Sequence, residues 1–261
     1  MRSLIITSLS LLITMSSANA SQIIGYQAQY DLHLASSNSK SEITAIDGKS
    51  AYSLSDACDG WDSVEDYLMK FVYDTGEEIV IASHFASWEQ YDGALYSFEV
   101  TEESNYEDKL DFSGFAQSGD PALVSFSQSP DKTIPLPQDV VFPISHTLEI
   151  LKRAQNGEKS YFADVFFGAE EERALKKAST IIGQKTLTKD LAGINSDLVL
   201  SDVWPIQIAY FTESDTSGLP DYELSLLLQE NGVVQSYSVD YGDFVLKAKL
   251  KSLKPSDKLG C

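Results

Sequence analysis

The sequence predicts a mainly β protein, built from consecutive antiparallel strands with one main helix. Apolar and polar residues alternate with a period of two in several segments, which is typical of strands with one buried and one wet face. Aromatic residues make up 11% of the chain and favour strands. The dipeptide Asn231-Gly232 separates two alternating segments and is typical of a tight hairpin turn whose central residues both take positive φ.

Residues 1–20 are predicted to be a signal peptide, and residues 21–261 a single mature domain. Arg2 supplies a positive charge, Leu4–Met15 forms a short apolar segment, and Ala18-Asn19-Ala20 matches a small-x-small cleavage site. The alternative is a retained membrane anchor, but the apolar segment is shorter than the ~20 residues that a span needs. We therefore expect a soluble, exported protein with no membrane span after signal-peptide removal.

The first predicted strand covers Gly25–Ala35, where every second residue is apolar or aromatic. Another includes Tyr67–Tyr73, although a helix through Val64 and Leu68 competes there. The C-terminal third alternates most clearly, with Lys247, Lys249 and Lys251 opposite the last apolar set. Three strands are predicted there, and their apolar residues are Leu224, Leu226 and Leu228; Tyr237, Val239 and Tyr241; and Phe244, Leu246, Ala248 and Leu250.

One main helix is predicted near residues 144–155, because apolar residues recur at helical spacing between Leu148 and Ala154. Ser145 is the predicted capping residue at its start, and Asn156-Gly157 supplies the stop at its end. A weaker helical pattern covers Ala169–Ala178, where many residues are charged.

The chain has two cysteines, Cys58 and Cys261. Export permits a disulfide, and two cysteines leave one intramolecular pairing. We therefore expect a bond that ties the early part of the domain to its last residue. The alternatives are two free thiols or an intermolecular bond.

Composition excludes some partners. The chain has 19 basic and 39 acidic residues and a formal net charge of −20. Binding to nucleic acid or to anionic lipid surfaces relies on lysine and arginine, so we expect neither.

The sequence supplies no motif for a metal, a cofactor or a catalytic residue. His33, His84 and His146 lie too far apart for a zinc-type pair, and the sequence has no C-x-x-C and no G-x-S-x-G. Asp74-Thr75-Gly76 resembles half of an aspartic-protease site but lacks a second copy in the chain, so we interpret it as a turn. We expect a protein without catalytic activity, metal or cofactor.

Three tryptophans, Trp61, Trp88 and Trp204, are candidates for lining an apolar ligand pocket. Core packing is the competing interpretation, since large aromatic side chains bury much surface.

Short motifs spread over the mature chain resemble one family, the periplasmic cell-envelope integrity proteins called EipB. The order and spacing of these motifs carry the resemblance. The motifs include Cys58-Asp59-Gly60-Trp61, Ser87-Trp88-Glu89, Phe142-Pro143 with His146, Trp204-Pro205, Glu230-Asn231-Gly232-Val233, Asp240-Tyr241-Gly242 and Cys261.

The resemblance implies a β-spiral, a long antiparallel sheet wound on itself like a half-open barrel with a helix against it. It also implies a Cys58–Cys261 disulfide, a periplasmic location and a role in envelope integrity. The shape is similar to that of periplasmic lipoprotein carriers, so we expect an apolar or lipid-like ligand, or an envelope protein, in the concave face. The alternatives are an interaction scaffold without a small ligand and a hydrolase acting on envelope material.

Overall fold

The computed structural model describes residues 23–168, 174–188, 191, 193–194, 196–213 and 217–257. The predicted signal peptide and Cys261 lie outside the described residues. Within them the chain forms one helix, α1 (Pro143–Gln155), and fifteen strands. The strands are β1 (Tyr26–Ser37), β2 (Ile43–Asp56), β3 (Gly60–Tyr73), β4 (Glu78–Gln90), β5 (Leu95–Ser104), β6 (Leu110–Gln117), β7 (Leu123–Phe126), β8 (Ser129–Pro135), β9 (Ser160–Phe166), β10 (Leu175–Ile182), β11 (Thr186–Leu187), β12 (Asp202–Phe211), β13 (Tyr222–Leu228), β14 (Val234–Asp240) and β15 (Phe244–Pro255).

The strands form one long antiparallel sheet. Its order is β8-β7-β6-β5-β4-β3-β2-β1-β15-β14-β13-β12-β10-β9, and β11 pairs with β12 beside this path. The first and last of the described strands, β1 and β15, are therefore neighbours near the middle of the sheet, from Tyr26 opposite Pro255 to Ser37 opposite Phe244. The predicted mainly β, antiparallel fold is confirmed.

The sheet winds on itself without closing into a barrel. Strands β5 and β9 are far apart in the sheet order, yet the Tyr96 hydroxyl donates a hydrogen bond to the Phe167 carbonyl at 2.8 Å. The ring of Tyr96 also packs edge-on against Phe166, and Phe98 contacts the same ring. These contacts belong to a second aromatic core beside the main one. β8 and β9 end the order of the described strands, so the arrangement is an open spiral.

The alternating segments form strands as predicted. In β1 the side chains of Tyr26, Ala28, Tyr30 and Leu32 are buried, and those of Gln27, Gln29 and His33 are exposed. Residues 64–73 belong to β3, so the competing helix there is excluded.

The predicted two-residue turn at Asn231-Gly232 is wrong in detail. Five residues connect β13 to β14, and Gly232 alone of the dipeptide has a positive φ, 86°. The Asn231 side chain instead donates to the Leu198 carbonyl at 3.0 Å, and the Gly232 N–H donates to the Gln229 carbonyl at 3.1 Å. A glycine in the left-handed region after a tighter turn is typical of longer hairpin loops.

The weaker helix predicted over Ala169–Ala178 is also wrong. Residues 169–173 lie outside the described part, and β10 begins at Leu175. Lys176 is buried in this strand, where its ammonium group pairs with the Asp221 carboxylate at 2.8 Å. Because this ion pair places a lysine on the inward face of β10, apolar and charged residues do not alternate there as they do in the other strands.

Helix α1 confirms the main predicted helix within one residue at its start. Pro143 occupies the first turn, and Gly157 follows the end with a φ of 76°. Ser145 is not the N-cap, because that position belongs to Phe142, which makes no capping side-chain bond.

Glu89 of β4 caps the helix from a distance. Its carboxylate accepts hydrogen bonds from the backbone N–H groups of Ile144 and Ser145, both at 2.7 Å, and from the Ser145 hydroxyl. Glu89 is 1% exposed. The first N–H groups of a helix have no partner inside it, and a negative charge there opposes the positive end of the helix dipole. Glu89 therefore fixes α1 to the sheet.

Candidate functional site

A cavity of about 570 Å³ lies on the concave side of the sheet. Its walls come from β1, β2 and β3 on one side, β12, β13 and β14 on the other, and the first half of α1. The volume falls within the range of about 300–1,000 Å³ that is typical of small-molecule sites.

The lining of the cavity combines aliphatic and tyrosine side chains. The wall formed by β12 and β13 is mainly aliphatic, through Ile206, Ile208, Leu224, Leu226 and Leu228. Tyrosines contribute much of the remaining surface. The eight that line the cavity are Tyr26, Tyr30, Tyr52, Tyr67, Tyr210, Tyr222, Tyr237 and Tyr241.

Aromatic rings form a continuous row along one end of the cavity. The ring centroids of Phe167 and Tyr210 lie 5.3 Å apart, those of Tyr210 and Tyr222 4.9 Å, and those of Tyr222 and Tyr241 6.0 Å. Tyr241 is exposed, so this row reaches from the interior to solvent.

Glu65 is the one carboxylate among the described residues that line the cavity. The Tyr67 hydroxyl donates a hydrogen bond to it, and the hydroxyls of Tyr237 and Ser50 continue the chain. Burial raises the pKa of Glu65, and the hydrogen bond from Tyr67 opposes this rise. The side chain is half-buried, so a bound molecule can reach it.

His146 lines the same cavity from α1 and is 3% exposed. Its Nε2 atom has no hydrogen-bond partner among the described residues, and its ring lies 5.6 Å from that of Tyr161. Burial lowers the pKa of His146 from 6.5 to about 4. The imidazole is therefore neutral near neutral pH.

This shift predicts a pH dependence of stability. Between about pH 4 and 6.5 His146 is protonated in the unfolded chain and neutral in the folded protein, so folding is weakened as the pH falls through this window. The full loss corresponds to about 3 kcal/mol. We expect His146→Gln to remove most of this slope in urea unfolding curves recorded across the window.

Burial raises the pKa values of Glu65 and Glu89, so these two groups make the free energy of unfolding change with pH in the opposite direction to His146. The free energy of unfolding of the variant is therefore compared with that of the parent protein at each pH. His33→Gln, at an exposed site of β1, is the matched control for replacing a histidine by glutamine. Equal slopes for His146→Gln and the parent would contradict the assignment.

The three tryptophans are not among the residues that line the cavity. Trp204 is buried in the main core, with the Lys185 ammonium 4.6 Å from its ring centroid. Trp61 packs edge-on against Tyr91 at 5.7 Å. Trp88 covers Gly60, where an added Cβ would approach its indole nitrogen to 2.7 Å. Their contact with a ligand stays a prediction, and the tyrosines are the better placed candidates.

Sequence reasoning missed Glu65, although a signal was present. Glu65 shares the odd-numbered face of β3 with Tyr67, Met69 and Phe71, so a carboxylate on an otherwise apolar face marks it. Tyr26, Tyr30, Tyr67, Tyr237 and Tyr241 fell in predicted strands but were not identified as a site, since alternation alone does not show which face is concave.

Cys58 lies in the turn between β2 and β3 with a φ of 72°. Its predicted disulfide partner, Cys261, lies outside the described residues. Within the described part of the chain no group of three metal-binding side chains occurs, and no helix is long and apolar enough to cross a membrane.

Comparison with known proteins identifies relatives over nearly the whole chain. It is 27% identical over 254 residues to the cell envelope integrity protein EipB of Brucella abortus (strain 2308), covering 94% of this chain and 90% of that protein. The fold matches the crystal structure of a β-barrel-like protein of the domain of unknown function DUF1849 from Brucella abortus, with a TM-score of 0.84 and 25% identity over 90% of this chain and 99% of that one. The sequence model of the EipB-like family matches residues 17–257, and the chain therefore belongs to the EipB-like family.

Proposed function

We propose that this protein supports the integrity of the cell envelope from the periplasm by holding a lipid-like ligand in its concave cavity, without catalysing a reaction. The observation that supports the binding role is the cavity of about 570 Å³, which is lined by aliphatic side chains of β12 and β13 and by eight tyrosines. Exposed apolar surface of this kind is a cost in water unless a ligand covers it. The name of the Brucella relative supports the envelope role.

The test is native mass spectrometry of protein purified from the periplasm, followed by organic extraction. We expect an apolar molecule at a ratio near one to one, recovered chemically unchanged. A hydrolase would instead turn over members of an ester, peptide and glycan panel. Protein that carries no ligand and binds none on addition of lipid would contradict the proposal.

A matched pair of variants locates the site. Leu226 of β13 lines the cavity, and its neighbour Leu227 faces the outer side of the same strand. We expect Leu226→Trp to abolish co-purification of the ligand, because the larger side chain fills the cavity, and Leu227→Trp to leave it intact. Circular dichroism of both variants checks that the fold is kept.

An envelope protein partner is the second candidate function. Phe162 of β9 is 72% exposed and Ile181 of β10 is 58% exposed, and the two lie on the same outward face. Contiguous exposed apolar residues mark interaction surfaces. A photo-crosslinking residue at position 162 should then capture one envelope protein in cells, and an empty cavity with such a crosslink would favour this function over ligand binding.

A further inference from the structure

We propose that the cavity selects an amphiphile with a cationic amine head group, whose nitrogen is bound by Glu65 among the tyrosine rings. The inference rests on the proposed ligand-binding function and adds the chemical class of the ligand. It follows from how charge, aromatic rings and aliphatic surface are distributed around the cavity.

The charge distribution disfavours an anionic head group. Among the described residues that line the cavity there is no lysine or arginine, and Glu65 is the carboxylate there. The chain as a whole has a net charge of −20, which attracts cations and repels anions. A fatty-acid carboxylate in the cavity would approach a like charge with no basic side chain to offset it.

The rings around Glu65 are suited to a cation. Tyr26, Tyr30, Tyr52 and Tyr237 line the same cavity as Glu65. Burial raises the pKa of each of these hydroxyls, and the charge of Glu65 adds to the rise. The centroids of Tyr26 and Tyr52 are 5.4 Å apart, as are those of Tyr30 and Tyr237. The faces of tyrosine rings attract ammonium groups, and the attraction increases where water is excluded.

Glu65 also has acceptor positions for a ligand. A carboxylate can accept about four hydrogen bonds. The Tyr67 hydroxyl donates one, and it orients the carboxylate from its own strand. An amine head group can donate to the other positions, with a charge-assisted bond of the stronger kind.

The opposite wall suits the tail of the same molecule. The aliphatic side chains of β12 and β13 line the cavity across from β3 and carry no charge. An amphiphile can therefore place its head against Glu65 and its hydrocarbon chain along this wall. Each methylene that leaves water contributes about 0.8 kcal/mol of apolar burial, so the tail supplies affinity and the head supplies selectivity.

The experiment compares amphiphiles with the same dodecyl tail and different heads, below their micellar concentrations and at neutral pH. Calorimetric titration of the purified exported protein measures binding of dodecylammonium, dodecyltrimethylammonium, dodecanoate and dodecyl maltoside. We expect dodecylammonium to bind at least about tenfold more tightly than dodecanoate. Glu65→Gln should weaken dodecylammonium binding at least about tenfold and leave dodecyl maltoside within about threefold.

Glu99→Gln is the matched control, because Glu99 is an exposed carboxylate on β5 outside the cavity and the charge change is the same. It should change none of the four affinities. If Glu65→Gln does not fold, the head-group series on the unaltered protein decides the question alone.

The outcomes separate the two proposals. Equal or tighter binding of dodecanoate, or unchanged dodecylammonium binding by folded Glu65→Gln, overturns the amine preference and leaves the ligand-binding function standing. No binding of any dodecyl compound overturns both.

Discussion

Replacing Glu89 by alanine is expected to lower the free energy of unfolding by about 3 kcal/mol. Its carboxylate accepts three hydrogen bonds at the start of α1, two from backbone N–H groups and one from the Ser145 hydroxyl. Each buried donor that loses its partner costs about 1 kcal/mol or more, and no side chain at Phe142 can replace the cap. Urea unfolding followed by circular dichroism measures the change.

The effect should reach the cavity as well, because Ile144, His146 and Ile150 of α1 form part of its lining. Under the proposed ligand-binding function, we expect the Glu89→Ala protein to release the ligand at urea concentrations that leave the sheet folded. Glu99→Ala, at an exposed site of β5, is the control and should change stability by less than about 0.5 kcal/mol. A Glu89→Ala protein as stable as the Glu99→Ala protein would show that the helix start does not depend on this carboxylate.

Loss of a Cys58–Cys261 disulfide is expected to have the largest effect, up to about 5 kcal/mol for a loop of roughly 200 residues. The surrounding structure supports the pairing. The hydroxyls of Ser55 and Ser256 lie 2.6 Å apart, and the Ser256 N–H donates to the Gly25 carbonyl at 3.2 Å. Ser55 is three residues from Cys58 and Ser256 is five from Cys261, so both chain segments begin at one place. We propose that they meet in a disulfide.

Three measurements test this proposal. The intact mass should lie two hydrogens below that of the reduced protein, the melting temperature should fall on reduction, and Cys58→Ser should lose as much stability as the double variant with Cys261→Ser. The equality follows because either change alone breaks the same bond. A melting curve that does not respond to reductant would contradict the pairing.

Local patterns predicted the strands well and the contacts between distant segments poorly. β1 and β15 were predicted because alternation reports directly on which side chains meet the core. The cap of α1 was assigned to Ser145, since the true acceptor lies more than fifty residues earlier on β4. The buried Lys176 concealed β10 for the same reason, because its partner Asp221 is remote in sequence.

The site was harder still to predict. Trp61, Trp88 and Trp204 were chosen for their size, but the concave surface depends on how the sheet winds, and alternation carries no information about curvature. Glu65 could have been found from its position on an apolar face. Its tyrosine neighbours on β1 and β2 lie on strands that pair in sequence beside β3, whereas Tyr237 comes from β14, which is remote in the sheet order and reaches Glu65 through the winding of the sheet.

The pairing of β1 with β15 has a consequence for how the chain folds during its synthesis. β1 can pair with β2 as soon as β2 is synthesised, but the other edge of β1 stays unpaired until β15 is complete. Contacts between such distant segments slow folding, and an unpaired strand edge invites association with other chains. A chain that stops before Phe244 would lack β15, which joins the two halves of the sheet by pairing with both β1 and β14. The free edge of β1 would then stay unpaired, so we expect truncated products to aggregate or be degraded.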